Sequence, residues 1–392
     1  MSTRTPERSA QMKHRWILVT AIFLSACAQP TQTQNNPIAG SPAAPLPTCT
    51  PPILPTSTVT PLPQPTSTPE PLPPAPISPK NLGDLTQVDS ISLADIRRVH
   101  FSQDGSQIAA ATGNQGNFGV FTFASQNGDP LYVYQLYNGI VWDLDISRDD
   151  LWMATAANST DGQGIAIWNL VNQTLDQKIG QPTQPDCVAF SPDGSVLAAG
   201  GLTAWPDGEI WLYEAATWAP LLKMDAPGQN ILALEYSPDG SMLVSAGTDG
   251  IIRIWRSRDG SLLHTLDYAP QASRIAFSPG GELLASTFCT DTDQNGCVTG
   301  GVVVWRTADW SILQVFEDLA QDVVFSPDGQ LMITASGYHD PQIRFRRTID
   351  WSEVYTISEN AQALAMNRSG SQLLAANQNG IQIWMVQPQP VD

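Results

Sequence analysis

One five-residue phrase recurs along most of this chain: FSQDG at 101, ISRDD at 146, FSPDG at 190, YSPDG at 236, FSPGG at 277, FSPDG at 325 and MNRSG at 366. Successive copies lie 45, 44, 46, 41, 48 and 41 residues apart. A period of that length belongs to an array of like units, stacked or circular, and not to one irregular core. The phrase also has a local meaning. In Ser-Pro-Asp-Gly, proline presets φ for the second position of a type I turn, aspartate suits the third, and glycine leaves the turn without steric cost.

The residues around each copy read as strands. Val99, Leu144, Val188, Leu234, Ile275, Val323 and Leu364 all stand two residues before the phrase, the period of a strand with one buried face. After the turn come small-residue strands (QIAAATG, VLAAGG, MLVSAGTDG, QLLAANQ), then strands ending near a large aromatic (GIAIWN, GIIRIWR, GVVVWR, GIQIWM), then a last strand (SLLHTLDY, SILQVFED, SEVYTIS). Four strands per unit and seven units predict an all-β fold, a seven-bladed β-propeller.

In these residues the chain resembles the WD40 repeat family over 85–386. It departs from that family where the Trp-Asp signature falls, with Trp168-Asn169, Tyr213-Glu214, Trp255-Arg256, Trp305-Arg306, Phe345-Arg346 and Trp384-Met385. The family's Gly-His before the first strand is missing as well, so its Asp-His-Ser-Trp hydrogen-bond tetrad cannot form and packing between sheets must carry stability. The seventh unit lacks a fourth strand, while LTQVDSI (85–91) precedes the first unit without a partner. Pairing the two closes the ring with an N-terminal strand and removes two open sheet edges.

Upstream, Arg4, Arg8, Lys13 and Arg15 precede the apolar run WILVTAIFL and then LSAC, ending at Cys27. A basic stretch, a short apolar run and small residues make a secretory signal too short to span a bilayer. LSAC resembles the lipobox of bacterial lipoproteins, which implies cleavage after residue 26 and lipidation of Cys27. Residues 28–80 hold 17 prolines among Thr, Ser, Gln and Ala, and a segment of that kind forms an extended stalk without a core. The expected organisation is a signal peptide over 1–26, a lipidated N-terminus and disordered stalk over 27–80, and the propeller over 81–392. The expected location is extracytoplasmic, tethered to a bacterial membrane.

A formal charge of -18 with only four lysines leaves no basic footprint for nucleic acid. Catalytic motifs such as GxSxG and HExxH do not occur. His339-Asp340 could pair a base with its orienter, but neighbours on a surface loop seldom reach that geometry. Three residues before the phrase, Arg98 and Asp143 fall on adjacent first strands, as do Arg274 and Asp322, and first strands crowd at a propeller axis. They are read as structural ion pairs, Arg98 with Asp143 and Arg274 with Asp322. Trp218, Trp310 and Trp351 share the turn before the last strand, where packing onto the outer strand of the same blade is the expectation and an aromatic binding edge the alternative.

Export places the cysteines in an oxidising compartment. Cys187 reads as a buried apolar residue on a first strand, and Cys49 lies in the stalk. Cys289 and Cys297 flank one hairpin connection and are expected to form a disulfide. Between them Asp291, Asp293, Asn295 and Gly296 match positions one, three, five and six of a calcium loop. The twelfth position is Val302 and the ninth Thr299, so calcium would bind only weakly; the other reading is a polar turn, with no cofactor.

The resemblance implies a non-catalytic protein-interaction scaffold acting through loops on the narrow face and the channel mouth, as a monomer. The alternative class is a propeller enzyme, or a lipoprotein binding a small ligand or carbohydrate at the channel mouth.

Overall fold

The repeated phrase closes a turn in every unit, and its side chains show how. In the computed structural model, residues 74–386 are described apart from 115–116, 136–138, 158–163, 183, 205–206, 228–229, 269–270 and 294–295. Ser102, Ser147, Ser191, Ser237 and Ser326 each donate a 2.6 Å bond to the aspartate two residues on. The same serine oxygen accepts the backbone N–H five residues on, at 2.9 Å in these five units. The serine therefore ties both ends of the turn together. In the last unit Asn367 takes over, its Oδ1 accepting the Gln372 N–H at 3.0 Å. Where other units end in glycine, the second ends in Asp150, held at φ 57°. Its carboxylate accepts the Gln103 and Asp104 N–H groups of the preceding blade at 2.6 and 2.9 Å, so a strained position also braces two blades.

Seven antiparallel four-stranded sheets follow one another along the chain. Their first strands are Ile96–Phe101, Val141–Ile146, Gln184–Phe190, Ile231–Tyr236, Gln271–Phe277, Asp322–Phe325 and Ala363–Met366. Each touches the first strand of its neighbours, and the seventh touches the first. The fold is a seven-bladed β-propeller. The second strands carry the small residues, including Ala109–Ala111, Ala154, Ala156, Ala198 and Ala199, all almost fully buried. Small side chains on both faces let each sheet lie against two neighbours, and the apolar clusters accordingly combine residues of adjacent blades.

Ring closure follows the expected route. Leu85–Ile91 pairs with Gly380–Val386, with Leu85 opposite Val386 and Ile91 opposite Ile381. The packed unit also starts earlier than residue 81. Ile77 is 1% exposed, lies in a cluster with Leu331, Phe345 and Leu373, and donates its N–H to Gly370 O at 2.8 Å. The end of the segment read as stalk is thus part of the propeller, because one isoleucine among the prolines finds an apolar seat between blades six and seven.

Among the described residues the tetrad of the WD40 family does not form, yet contacts resembling one leg of it occur. Trp168 Nε1 donates to Thr155 Oγ1 at 3.3 Å and Trp255 Nε1 to Ser245 Oγ at 2.9 Å. The turn tryptophans correct the expectation of packing within one blade. Trp218 Nε1 reaches Asp176, and Trp310 and Trp351 lie against His264 and Phe316, all three on the last strand of the preceding blade. The reason lies in the backbone: the three residues hold φ of 57°, 57° and 61°, which turns the side chain out of its own sheet and across the gap.

Candidate functional site

The axial channel is where this fold gathers polar side chains, and a repeated backbone defect shapes one end of it. In the first five blades the pairing of first and second strands skips one residue: Arg97, Trp142, Asp186, Leu232 and Ser273. A bulge of this kind leaves the extra residue unpaired and re-aims its side chain. All five line a cavity of about 460 Å³, together with Gln321 and Gln362 from blades six and seven. It opens on the face where the second-to-third-strand hairpins project, termed here the hairpin face. The charges picked out along the first strands of the sequence lie one place further along. The signal that would have found this ring is the same offset, four residues before the phrase.

Deeper in the channel lie the charges predicted from the first strands. Arg98 Nε donates to Asp143 Oδ1 at 2.7 Å. Asp322, expected opposite Arg274, is instead 3.9 Å from Arg98 Nη1. Arg98 reaches it because blade seven contributes only Ala363 at this level. Both carboxylates also serve the next blade, Asp143 Oδ2 accepting the Val188 N–H at 3.1 Å and Asp322 Oδ2 the Leu364 N–H at 2.8 Å. Arg274 is left with no ion pair and no hydrogen bond among the described residues. Burial first, and then the like charge of Arg98, lowers its pKa; burial raises that of Cys187, which is fully buried and unbonded to sulfur.

Unfilled hydrogen-bonding atoms collect at the same mouth. Arg97 Nε, Trp142 Nε1 and Asn230 Oδ1 are buried and have no partner among the described residues. The Arg97 guanidinium stands 5.6 Å from the Trp142 ring centre and 3.3 Å from Asp95, while the Asn230 amide donates to Asp186.

The opposite end, on the side of the repeated turns, holds a cavity of about 360 Å³ lined in part by His100, Glu235, Arg98 and Asp322. Burial dominates here. It pushes Glu235 up to about 8 and Asp145 up to about 7, and it depresses His100 to about 4 with Arg98 adding to the effect. His100 Nδ1 lies 3.6 Å from Asp145 Oδ1, and Asp145 Oδ2 accepts the Phe190 N–H at 2.7 Å.

Cys289 and Cys297 are disulfide-bonded, with Cα atoms 5.8 Å apart. They are not directly opposed: Cys289 faces Gly300 and Cys297 faces Thr292, and two register shifts in between bring the sulfurs together diagonally. The stapled strands, Leu283–Asp293 and Gly296–Arg306, have 11 residues each, whereas the matching strands of blade four have 6. Cys289, Thr292 and Cys297 form one wall of the mouth. Asp291 and Asp293 belong to the extended strand and Asn295 lies outside the described residues. Asp293 Oδ1 is 3.2 Å from His339 Nε2 of blade six. Asp340 bonds Arg344 at 2.6 Å instead of His339, so these neighbours do not form a base and its orienter.

Residues 179–214 and 218–256 match the family of the WD domain, G-beta repeat. Two stretches thus resemble single repeats of that family. Each runs from the end of one blade through the first three strands of the next, the phase set by the ring closure. A WD repeat-containing protein of Synechocystis is 29% identical over 189 residues, covering 46% of this chain and 47% of its own. The WD repeat-containing protein SL1-17 of Schistosoma mansoni is 27% identical over 176 residues, 45% of this chain and 56% of its own. Protein FIZZY-RELATED 3 of Arabidopsis thaliana is 25% identical over 177 residues, 44% of this chain and 34% of its own. The chain thus spans between about a third and just over half of these relatives' length.

Proposed function

We propose that this WD40-repeat propeller is a non-catalytic protein-interaction platform whose working surface is the hairpin-face mouth, held outside the cytoplasm by a lipid on Cys27. The observation that carries the reading is the ring of bulges. Five blades each give up one paired residue to point Arg97, Trp142, Asp186, Leu232 and Ser273 at a single opening. Strand pairing lost at one level in five blades favours the opening, not the core. The mixture of an aromatic, charges and amides suits recognition of a polypeptide. The disulfide-stapled hairpin supplies a preorganised wall, which lowers the ordering cost of binding. The anchoring part rests on the basic stretch, apolar run and LSAC ahead of Cys27.

Two measurements test it. A photocrosslinking residue placed at Gln362, on the mouth, should capture a discrete protein in intact cells, while the same residue at Val133 on an outer strand should not; equal capture at both sites overturns the assignment of the surface. Labelling with a fatty acid should mark the full chain and not Cys27→Ser, and equal labelling removes the anchor.

A further inference from the structure

Resting on the platform reading, we propose that the hairpin-face mouth recognises an acidic side chain of the bound polypeptide, with Arg274 as the seat of its carboxylate. Arg274 comes from the first strand of blade five and lines the 460 Å³ cavity. A guanidinium has five N–H donors, and those of Arg274 meet no carboxylate and no hydrogen-bond acceptor among the described residues. The two nearby carboxylates that could have served it, Asp143 and Asp322, are occupied by Arg98 and by the backbone of the next blade. Arg274 is half-buried, so its unpartnered donors stand open to a ligand, and a carboxylate can meet a guanidinium bidentately.

Neighbouring atoms say what else the ligand should carry. Trp142 Nε1 and Arg97 Nε are unfilled donors beside the same opening, and Asn230 Oδ1 is an unfilled acceptor. A peptide supplies the complement, carboxylate and carbonyl oxygens for the donors and a backbone N–H for the acceptor. A simple inorganic anion leaves Asn230 unsatisfied. The chain's formal charge of -18 repels acidic partners at long range, so selectivity must come from this short-range seat.

The test is calorimetric titration of the full chain with a blocked tripeptide carrying one glutamate, with its glutamine twin, and with free glutarate. The expected result is binding of the glutamate peptide, at least about tenfold weaker binding of the glutamine twin and of glutarate, and a similar loss in Arg274→Gln. Arg274→Lys should fall between. Should Arg274→Gln fail to fold, Trp142→Phe, which removes the indole N–H donor together with part of the ring, should still weaken the glutamate peptide. Equal binding of the twins, no binding of the glutamate peptide, unchanged affinity in Arg274→Gln, or glutarate as tight as the peptide each overturns the proposal. Capture of a protein at Gln362 that Arg274→Gln leaves intact keeps the platform and removes the carboxylate seat.

Discussion

Trp218 on blade three donates its indole N–H to Asp176 on blade two, 3.0 Å away. The ring also stands edge-on to Trp152 of blade two at 5.3 Å. A non-glycine residue at φ 57° costs about 1–2 kcal/mol, and the side chain offsets it by filling the gap between sheets. Trp218→Ala keeps the backbone strain and empties the gap, and should destabilise by about 3 kcal/mol or more in denaturant unfolding. Asp176→Ala, which strands only one N–H, should cost about 1–2 kcal/mol. Equal stability of wild type and Trp218→Ala would show that the wedge contributes nothing.

The same position in other blades gives a converse prediction. Gly260 occupies it in blade four, and a Cβ there would come within 2.6 Å of Leu222 and 2.8 Å of Met224 on blade three. Gly260→Ala should therefore destabilise through both crowding and positive φ, by about 1–3 kcal/mol. A melting temperature at or above that of wild type would contradict the close approach.

Closure by Leu85–Ile91 makes the two ends of the chain one sheet. Removing residues 81–92 takes away that strand with Leu82, Leu85 and Ile91, all buried, and exposes the edge of Gly380–Val386. The expected outcome is loss of the cooperative thermal transition of the whole propeller, seen by circular dichroism. A truncated protein that melts like the full chain would sink the closure.

Much of this architecture can be read from local chemistry. The serine-aspartate turns, the period of two before them and the unpaired strand at 85–91 each depend on residues close in sequence or on a count of strands. The features not legible in the sequence depend on register and on neighbours. The bulge that frees Trp142 is invisible until Val141 and Asp143 are seen to pair with adjacent residues of the second strand. The direction of Trp218 follows from a backbone angle, not from its identity. Arg98 reaches Asp322 because the intervening blade offers Ala363, a three-blade fact that pairwise matching of charges misses. Ile77 looks like one more stalk residue until blades six and seven provide its seat.

Arg98 and Arg274 sit at one level of the channel but should respond oppositely to removal of charge. Arg98→Met leaves Asp143 and Asp322 without their cation, and breaking a buried network in this way costs about 3–5 kcal/mol. Arg274→Met removes a half-buried cation that pairs with no acid among the described residues, so stability should hold or rise. Urea unfolding of both variants decides the matter. Comparable destabilisation would mean that Arg274 carries a structural pairing after all.

Acid–base behaviour should expose the other end of the channel. Burial lifts Glu235 to about 8 and Asp145 to about 7. Both bind protons more tightly folded than unfolded, so their contribution is fully present below about pH 4 and is lost as pH rises through 7 to 8. His100 works the other way, since its depression to about 4 means stability is lost as pH falls from about 6.5 to 4. The opposing slopes overlap between about pH 4 and 6.5, where they partly cancel. Above pH 6.5 the histidine no longer contributes to the slope and the two acids act alone. The melting temperature should therefore decline between pH 6.5 and 8.5. Glu235→Gln keeps the shape of the protonated acid and should flatten that decline while leaving the melting temperature near pH 5 close to wild type. An identical pH profile in the variant would show that Glu235 ionises as an ordinary carboxylate and that the turn-face end of the channel is wetter than its burial implies.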